Sequence, residues 1–238
     1  MFNQIPIDKI LFLDIETVPQ YPSLTDAPEE YKKFWERKTK YLKNEGDKIE
    51  DLYNRAGIYA EFGKIICIST GFVFFKENEK YFKIKSFYGN DEKLFLPDFI
   101  TLLGNIHSNQ MYLCAHNGKE FDFPYIARRI LINGFKLPEI LNIAGKKPWE
   151  SNFIDTMELW KFGDYKQYTS LNLLSYLFKL PSPKDDIDGS QVASVYYNDN
   201  NLERIVKYCQ KDVFTVAQLL LKYRQEDIIK TENIEYIS

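Results

Sequence analysis

The sequence predicts an α/β fold, a mixed β-sheet flanked by helices, with a helical insertion after the first strand. Three observations predict it. Residues 9–18 form a core-type apolar run, two more strand-like runs follow, and from residue 91 onwards strand-like and helix-period segments alternate. Strands that come first and then alternate with helices give a mixed sheet covered by helices.

The elements follow in chain order. Residues 9–18 read as a core strand, and Pro19, Pro22 and Pro28 break regular structure after it. Residues 28–60 are charged and aromatic with Gly46 in the middle, which predicts two helices around a turn, inserted on the core. GKIICISTGFVFF reads as a buried strand. YFKIKSFY alternates, with Phe82, Ile84 and Tyr88 on one face and Lys83 and Lys85 on the other, so these runs continue strand one as an antiparallel meander. Asp91 to Ile106 has an acidic start and helical spacing of Leu94, Phe99, Leu102, Leu103 and Ile106, with Pro97 blurring where the helix begins. MYLCAH is a short strand, and NGKEFDFPYIARRILING is a turn and a helix closed by Gly134. SLNLLSYLFKL is an amphipathic helix stopped by PSPK, GSQVASVYY a short helix, and residues 201–224 a long one.

The composition fits one domain spanning residues 1–238, with 28–60 inserted within it. A content of 45% hydrophobic and 16% aromatic residues is ample for a core. The formal charge of −3 gives no global basic field, so non-specific adhesion to nucleic acid or anionic membrane is not the theme. Cys67, Cys114 and Cys209 lie in apolar contexts without metal-type spacing, which reads as buried reduced thiols in a cytoplasmic protein. The N-terminal apolar run carries two acids and lacks a basic lead, so it is neither a signal peptide nor a membrane span.

Those two acids carry the chemistry. Asp14 and Glu16 sit two apart in LFLDIETVPQ, so they point to the same face of a strand and can share a ligand. Buried charge is costly unless compensated, and a divalent cation compensates paired carboxylates. Asp122 stands between Phe121 and Phe123, and by itself reads as an exposed acid in a first helical turn. In the long helix, Leu202, Ile205, Cys209, Val213, Val216 and Leu220 form one stripe, with Asp212 at its edge and Tyr208 one turn before it. Four such carboxylates, with two histidines in the chain and no cysteine pattern, favour oxygen ligation of Mg²⁺ or Mn²⁺. Two such ions can activate a water and stabilise the leaving oxygen of a phosphodiester.

DIET, then Asn117-x-x-x-Phe121-Asp122, then Tyr208-x-x-x-Asp212, in this order, resembles the three motifs of the DEDD 3′–5′ exonuclease superfamily in its tyrosine-bearing branch. The histidine-bearing branch would place histidine where Lys207 stands. The closest likeness is to predicted 3′–5′ exonucleases related to the proofreading domain of family B DNA polymerases, running from about residue 9 to about 225 and including LPSPKDDIDGSQV. The resemblance implies an RNase H-like fold with two divalent cations held by Asp14, Glu16, Asp122 and Asp212. It implies that Asp14 bridges both ions, that Glu16 and Asp212 bind the one holding the attacking water, and that Tyr208 orients and helps deprotonate that water.

Supporting residues follow from position and from the same resemblance. Thr17 matches a position beside the terminal nucleotide, Asn117 either orients substrate or caps its helix, and Phe121 sits in the core with an edge towards a base. Lys184 in SPKDD is the candidate phosphate contact, and Asp155 in FIDTMEL reads foremost as a helix cap. His107 and His116 receive no role. The implied activity is removal of nucleoside 5′-monophosphates from the 3′ end of single-stranded DNA. RNA with the same site, or a non-catalytic binding module of the same fold, are the alternatives. The motifs occupy nearly the whole sequence, so a free-standing enzyme or one acting in trans is expected, with no membrane partner.

Overall fold

The computed structural model describes residues 4–42, 48–147, 150–164, 168–181 and 187–237. Strands β1 (Ile10–Pro19), β2 (Gly63–Lys76), β3 (Glu79–Tyr88), β4 (Tyr112–Ala115), β5 (Phe153–Asp155) and β6 (Ile234–Ile237) form one sheet, ordered β5-β4-β1-β2-β3-β6. The first three form the expected antiparallel meander, and β4, β5 and β6 join in parallel, so the sheet is mixed. The helices are α1 (Glu29–Thr39), α2 (Ile49–Leu52), α3 (Glu92–Ser108), α4 (Asp122–Ile132), α5 (Thr156–Lys161), α6 (Leu171–Leu177), α7 (Val192–Tyr197) and α8 (Leu202–Tyr223).

Alternation along β1 sorts the core onto two faces. Leu11, Leu13 and Ile15 pack with Phe99 and Leu103 of α3 and Ile126 and Ile130 of α4. Ile10 and Phe12 pack with Val213, Val216, Ala217 and Leu220 of α8. Asp14 and Glu16 continue this second series, towards the end of the strand.

Coverage of both faces explains where the element readings slip. Tyr88 ends β3 45% exposed, whereas Phe87, on the lysine face, is buried against Phe99 at 5.5 Å between ring centres. A polar-looking strand face is thus half core. In α3, Leu94 is 79% exposed while Phe95 and Leu96 are buried, because Asp91 caps the helix by accepting from Lys93 N and so sets the phase of its first turn. Pro97 sits inside α3 past its first turn, so the helix forgoes the N–H bond that this residue would make one turn back. The edge strand β6 has no counterpart in the sequence reading: its four residues are too short for a period to register.

The 28–60 insertion supplies α1, α2 and a 3₁₀ segment, Tyr53–Ile58. The expected turn at Gly46 lies outside the described residues, as does Lys184. Trp35, Tyr53 and Phe62 form a small aromatic core there with Tyr31. It is joined to β1 and α4 by polar contacts: the Gly57 carbonyl accepts from Thr17 Oγ1 at 2.8 Å and Tyr125 Oη at 2.9 Å. Among the described residues no helix is long and apolar enough to cross a membrane. All three cysteines are buried and free.

Candidate active site

Sheet geometry exposes the centre of β1. Its ladder with β4 ends at Phe12 opposite Cys114, so Asp14 and Glu16 run past it towards the carboxyl ends of the parallel strands. On the other side they oppose Ser69 and Cys67 of β2, and the register then shifts between Glu16 and Thr17. A bulge at this point turns the strand directly after its second acid.

Two helices bring the remaining acids to this place. Asp122 is the first residue of α4 and only 3% exposed, so the reading of that fragment as a solvated acid does not hold. Its carboxyl is pushed up to about 7, chiefly by burial, with the charges of Asp155 and Asp212 adding; its own N–H and that of Ile15 act the other way. Asp212 and Tyr208 project from α8, both half-buried. Asp14 is driven well above the carboxylate range by burial first, then by Asp122 and Asp212. Glu16 is raised by burial and then by Asp14 and Asp212. The Tyr208 phenol, hydrogen-bonded to Asp212, is raised by burial and by Asp212, Glu16 and Asp14. Each acid feels the others, so the four form one cluster in which the anionic state lacks compensation.

Divalent cations would supply that compensation, and the donors fit them. Asp14 Oδ2 and Asp122 Oδ1 are buried without a hydrogen-bond partner. Such orphaned oxygens are costly unless something coordinates them. Asp14, Glu16 and Cys209 each offer a ligand atom, all within 4.8 Å of one another. The Cys209 thiol donates to the Asp14 carbonyl at 3.4 Å, leaving an all-oxygen carboxylate set suited to hard cations.

The turn that carries Asp122 is held by Asp155. Asn117 N donates to its Oδ1 at 2.9 Å and Lys119 N to its Oδ2 at 3.0 Å. The same carboxylate caps α5 through Met157 N and Glu158 N, as its sequence context predicts. Asn117 adopts a left-handed backbone, φ 64°, and caps nothing with its side chain: its carbonyl accepts from Phe121 N, and its Oδ1 is buried without a partner. Gly118 follows it where a Cβ would lie 2.4 Å from that of Ala115. Phe121 packs on Tyr125, 5.4 Å between rings. The Thr17 hydroxyl is engaged by the Gly57 carbonyl of the insertion.

Two residues escaped the sequence reading. His116 bonds Thr169 O through Nε2 and Thr156 Oγ1 through Nδ1, both at 2.9 Å, and so ties β4 to the segment before α6. Tyr168 stands edge-on to His116 at 6.5 Å and is 63% exposed. Its phenol is raised by partial burial and then by the charges of Asp122 and Asp14. His116 ends a run read only as a strand, and Tyr168 lies in no periodic segment, so neither stood out from its pattern.

The comparisons bear on this geometry. A family described as predicted 3′–5′ exonucleases related to the exonuclease domain of PolB matches residues 58–234. The chain belongs to this family. The fold agrees with that membership. The family B DNA polymerase of the hyperthermophilic archaeon Pyrobaculum calidifontis superposes with a TM-score of 0.52 over 91% of this chain, at 13% identity. The chain spans 24% of that polymerase's length. The family match contains Asp122, Tyr208 and Asp212, while β1 with Asp14 and Glu16 precedes it.

Proposed function

We propose that this chain, acting as one domain of residues 1–238, removes nucleotides from the 3′ end of single-stranded DNA, with Asp14, Glu16, Asp122 and Asp212 holding two divalent cations, Mg²⁺ or Mn²⁺. The observation that carries the reading is the meeting of these four acids on three elements, with two carboxylate oxygens buried and unpartnered.

Bound cations supply an acidified water and neutralise charge developing on the phosphodiester. The protein's part is positioning. Tyr208, hydrogen-bonded to Asp212, would orient the attacking water and help deprotonate it. The Asp155-bound turn sets Asp122, and the exposed ring of Tyr168 offers a face on which a terminal base stacks. Asn117 and Phe121 border the same turn as substrate contacts, Thr17 shapes the strand end, and Lys184 remains a proposed phosphate contact. DNA is proposed over RNA from the PolB relationship.

The test is a gel assay of 5′-labelled single-stranded DNA and matched RNA with Mg²⁺, Mn²⁺ or EDTA, comparing wild type with Asp14→Ala. A metal-dependent ladder shortening from the DNA 3′ end, absent in the variant, is expected. Degradation of RNA alone overturns the substrate, and unchanged activity in Asp14→Ala overturns the site.

A further inference from the structure

The outer flank of the insertion carries cations that its own acids do not neutralise. At about 100° per residue, Lys38, Phe34, Tyr41 and Arg37 follow one another around α1 and the turn after it, and Lys33 and Lys40 continue the arc. Trp35 and Thr39 face inwards, and Glu29 and Glu36 fall on the opposite flank. Lys33, Arg37, Lys38 and Lys40 are exposed, and none has a carboxylate partner among the described residues; Glu29 pairs with Lys32 instead, at 2.8 Å. Lys38 lies over the Tyr59 ring at 4.5 Å, which orients its charge without neutralising it. Phe34 and Tyr41 stand among these cations, 52% and 89% exposed.

The flank borders a cleft of about 500 Å³ lined by Tyr31, Phe34, Arg37, Lys38, Glu61 and Phe62. Glu61, the acid in this lining, lies 4.0 Å from Arg128 of α4. With Glu30 in the first turn of α1 counted against them, the bases are still in excess on this side, in a chain whose formal charge is −3. Helix α4 connects the cleft to the acid cluster: it opens with Asp122, and Arg128 stands about 9 Å along it by helical rise. The cleft is therefore on the order of 20 Å from the acids, the span of roughly six stacked nucleotides at about 3.4 Å each. Gln20 N, just past β1, donates to the Phe62 carbonyl at 2.9 Å, so the cleft keeps its place relative to Asp14 and Glu16.

We infer that this flank grips the single strand 5′ of the nucleotides being removed, with phosphates on Lys33, Arg37 and Lys38 and bases on Phe34 and Tyr41. Exposed rings interleaved with unpaired cations suit a strand of unstacked bases and charged phosphates, whatever its sequence. The aromatic core of the insertion is already made by Trp35, Tyr53 and Phe62, so folding does not call for Phe34 and Tyr41 where they stand. The inference rests on the single-strand substrate proposed above and extends it: a substrate too short to reach the cleft forgoes the grip.

Fluorescence anisotropy of 5′-labelled oligothymidylate, about 20 nucleotides long, with the whole chain in EDTA tests this without any cleavage. Two double variants at exposed positions separate the contributions. Arg37→Gln with Lys38→Gln should lower the slope of log K against log salt by about 1.4, at roughly 0.7 per phosphate contact on a single strand. Phe34→Ala with Tyr41→Ala should weaken binding by roughly fivefold or more and leave that slope unchanged, as loss of stacking does. In the Mg²⁺ cleavage assay both variants should raise KM for the long strand and leave a trinucleotide at its wild-type rate. Wild type that does not bind the long strand in EDTA, or variants that bind it as wild type does, overturn the grip and mark the flank as a surface for another partner. An equal loss on the trinucleotide overturns it too, since that substrate cannot reach the cleft. Should the acid cluster not cleave DNA at all, the anisotropy in EDTA still decides the grip, so the two readings fail separately.

Discussion

Asn117 N–H donates to Asp155 Oδ1 at 2.9 Å, across 38 residues of sequence. The carboxylate joins the turn leading to Asp122 to the start of α5, and it does so only as an acceptor on both oxygens. Asp155→Asn places an NH₂ group where at least one N–H now points. The loss is a charge-assisted bond plus an unpaired donor, about 2–3 kcal/mol. The turn loosens, so kcat should fall about tenfold or more with KM little changed, as expected for a positioning residue. Chemical denaturation and steady-state kinetics measure both, and a variant with wild-type kcat would sever the turn from the site.

His116 gives a pH dependence. Burial holds its imidazole below the ordinary value of 6.5, against the pull of Thr169 O and Asp155. As pH falls through about 6.5, the unfolded chain takes up the proton first, so the stability this residue contributes above that pH is lost on acidification. The neighbouring acids, raised by burial, act oppositely in the metal-free chain, so the comparison must be with a variant. The advantage of wild type over His116→Gln, measured by urea denaturation, should shrink from pH 7.5 to pH 5. An advantage that is flat or growing on acidification contradicts the buried neutral ring.

Tyr168 separates stacking from chemistry. If a terminal base lies on its ring, Tyr168→Ala removes about 1–3 kcal/mol of substrate binding and raises KM by roughly 5–150-fold, while Tyr168→Phe keeps the face and stays near wild type. Equal loss in both variants would assign the effect to the hydroxyl instead.

How much of this was legible in the sequence depends on the kind of signal. Asp14 and Glu16 announced themselves because acids are anomalous in a buried strand, and Tyr208 and Asp212 because the stripe of α8 fixes their side. Asp122 read as ordinary by itself, and it became a site residue through its motif; its 3% exposure comes from packing that no local pattern encodes. Tyr168 and β6 were illegible for a shared reason. Each gains its meaning from a partner far along the chain, His116 and β3 respectively, and from segments too short or irregular to show a period.

The insertion is less separable than its solvated, charged sequence suggests. Deleting residues 28–60 removes the Gly57 carbonyl from Thr17 and Tyr125 and the Ala60 carbonyl from Arg129, whose guanidinium also pairs with the buried Glu92. Two of those donors, Tyr125 and Arg129, are buried, and each unsatisfied group costs about 1–3 kcal/mol. The deletion should therefore cost about 2–6 kcal/mol, a large share of the whole stability of many domains. Trp35→Ala, which empties only the local aromatic core, should cost about 3–5 kcal/mol yet leave Asp14 and Glu16 in place. A deletion variant that melts like wild type would mark the insertion as an appendage.

Asp122→Asn tests the acid cluster without requiring catalysis as the readout. In EDTA at pH 8, the wild-type cluster holds its acids together in a buried place, and burial pushes Asp122 up to about 7, so its charge is held there at a cost. The amide removes one charge and can still accept from Ile15 N–H, so the metal-free variant should be more stable than wild type by an amount on the order of 1 kcal/mol, about 2–4 °C in a chain of this size. Adding Mn²⁺ should reverse the order, because wild type gains from coordination what the variant has lost. The crossing of the two melting curves is the decisive feature. A variant less stable than wild type in EDTA would mean that Asp122 has a compensating partner, and equal stabilisation by Mn²⁺ would remove it from the ligand set.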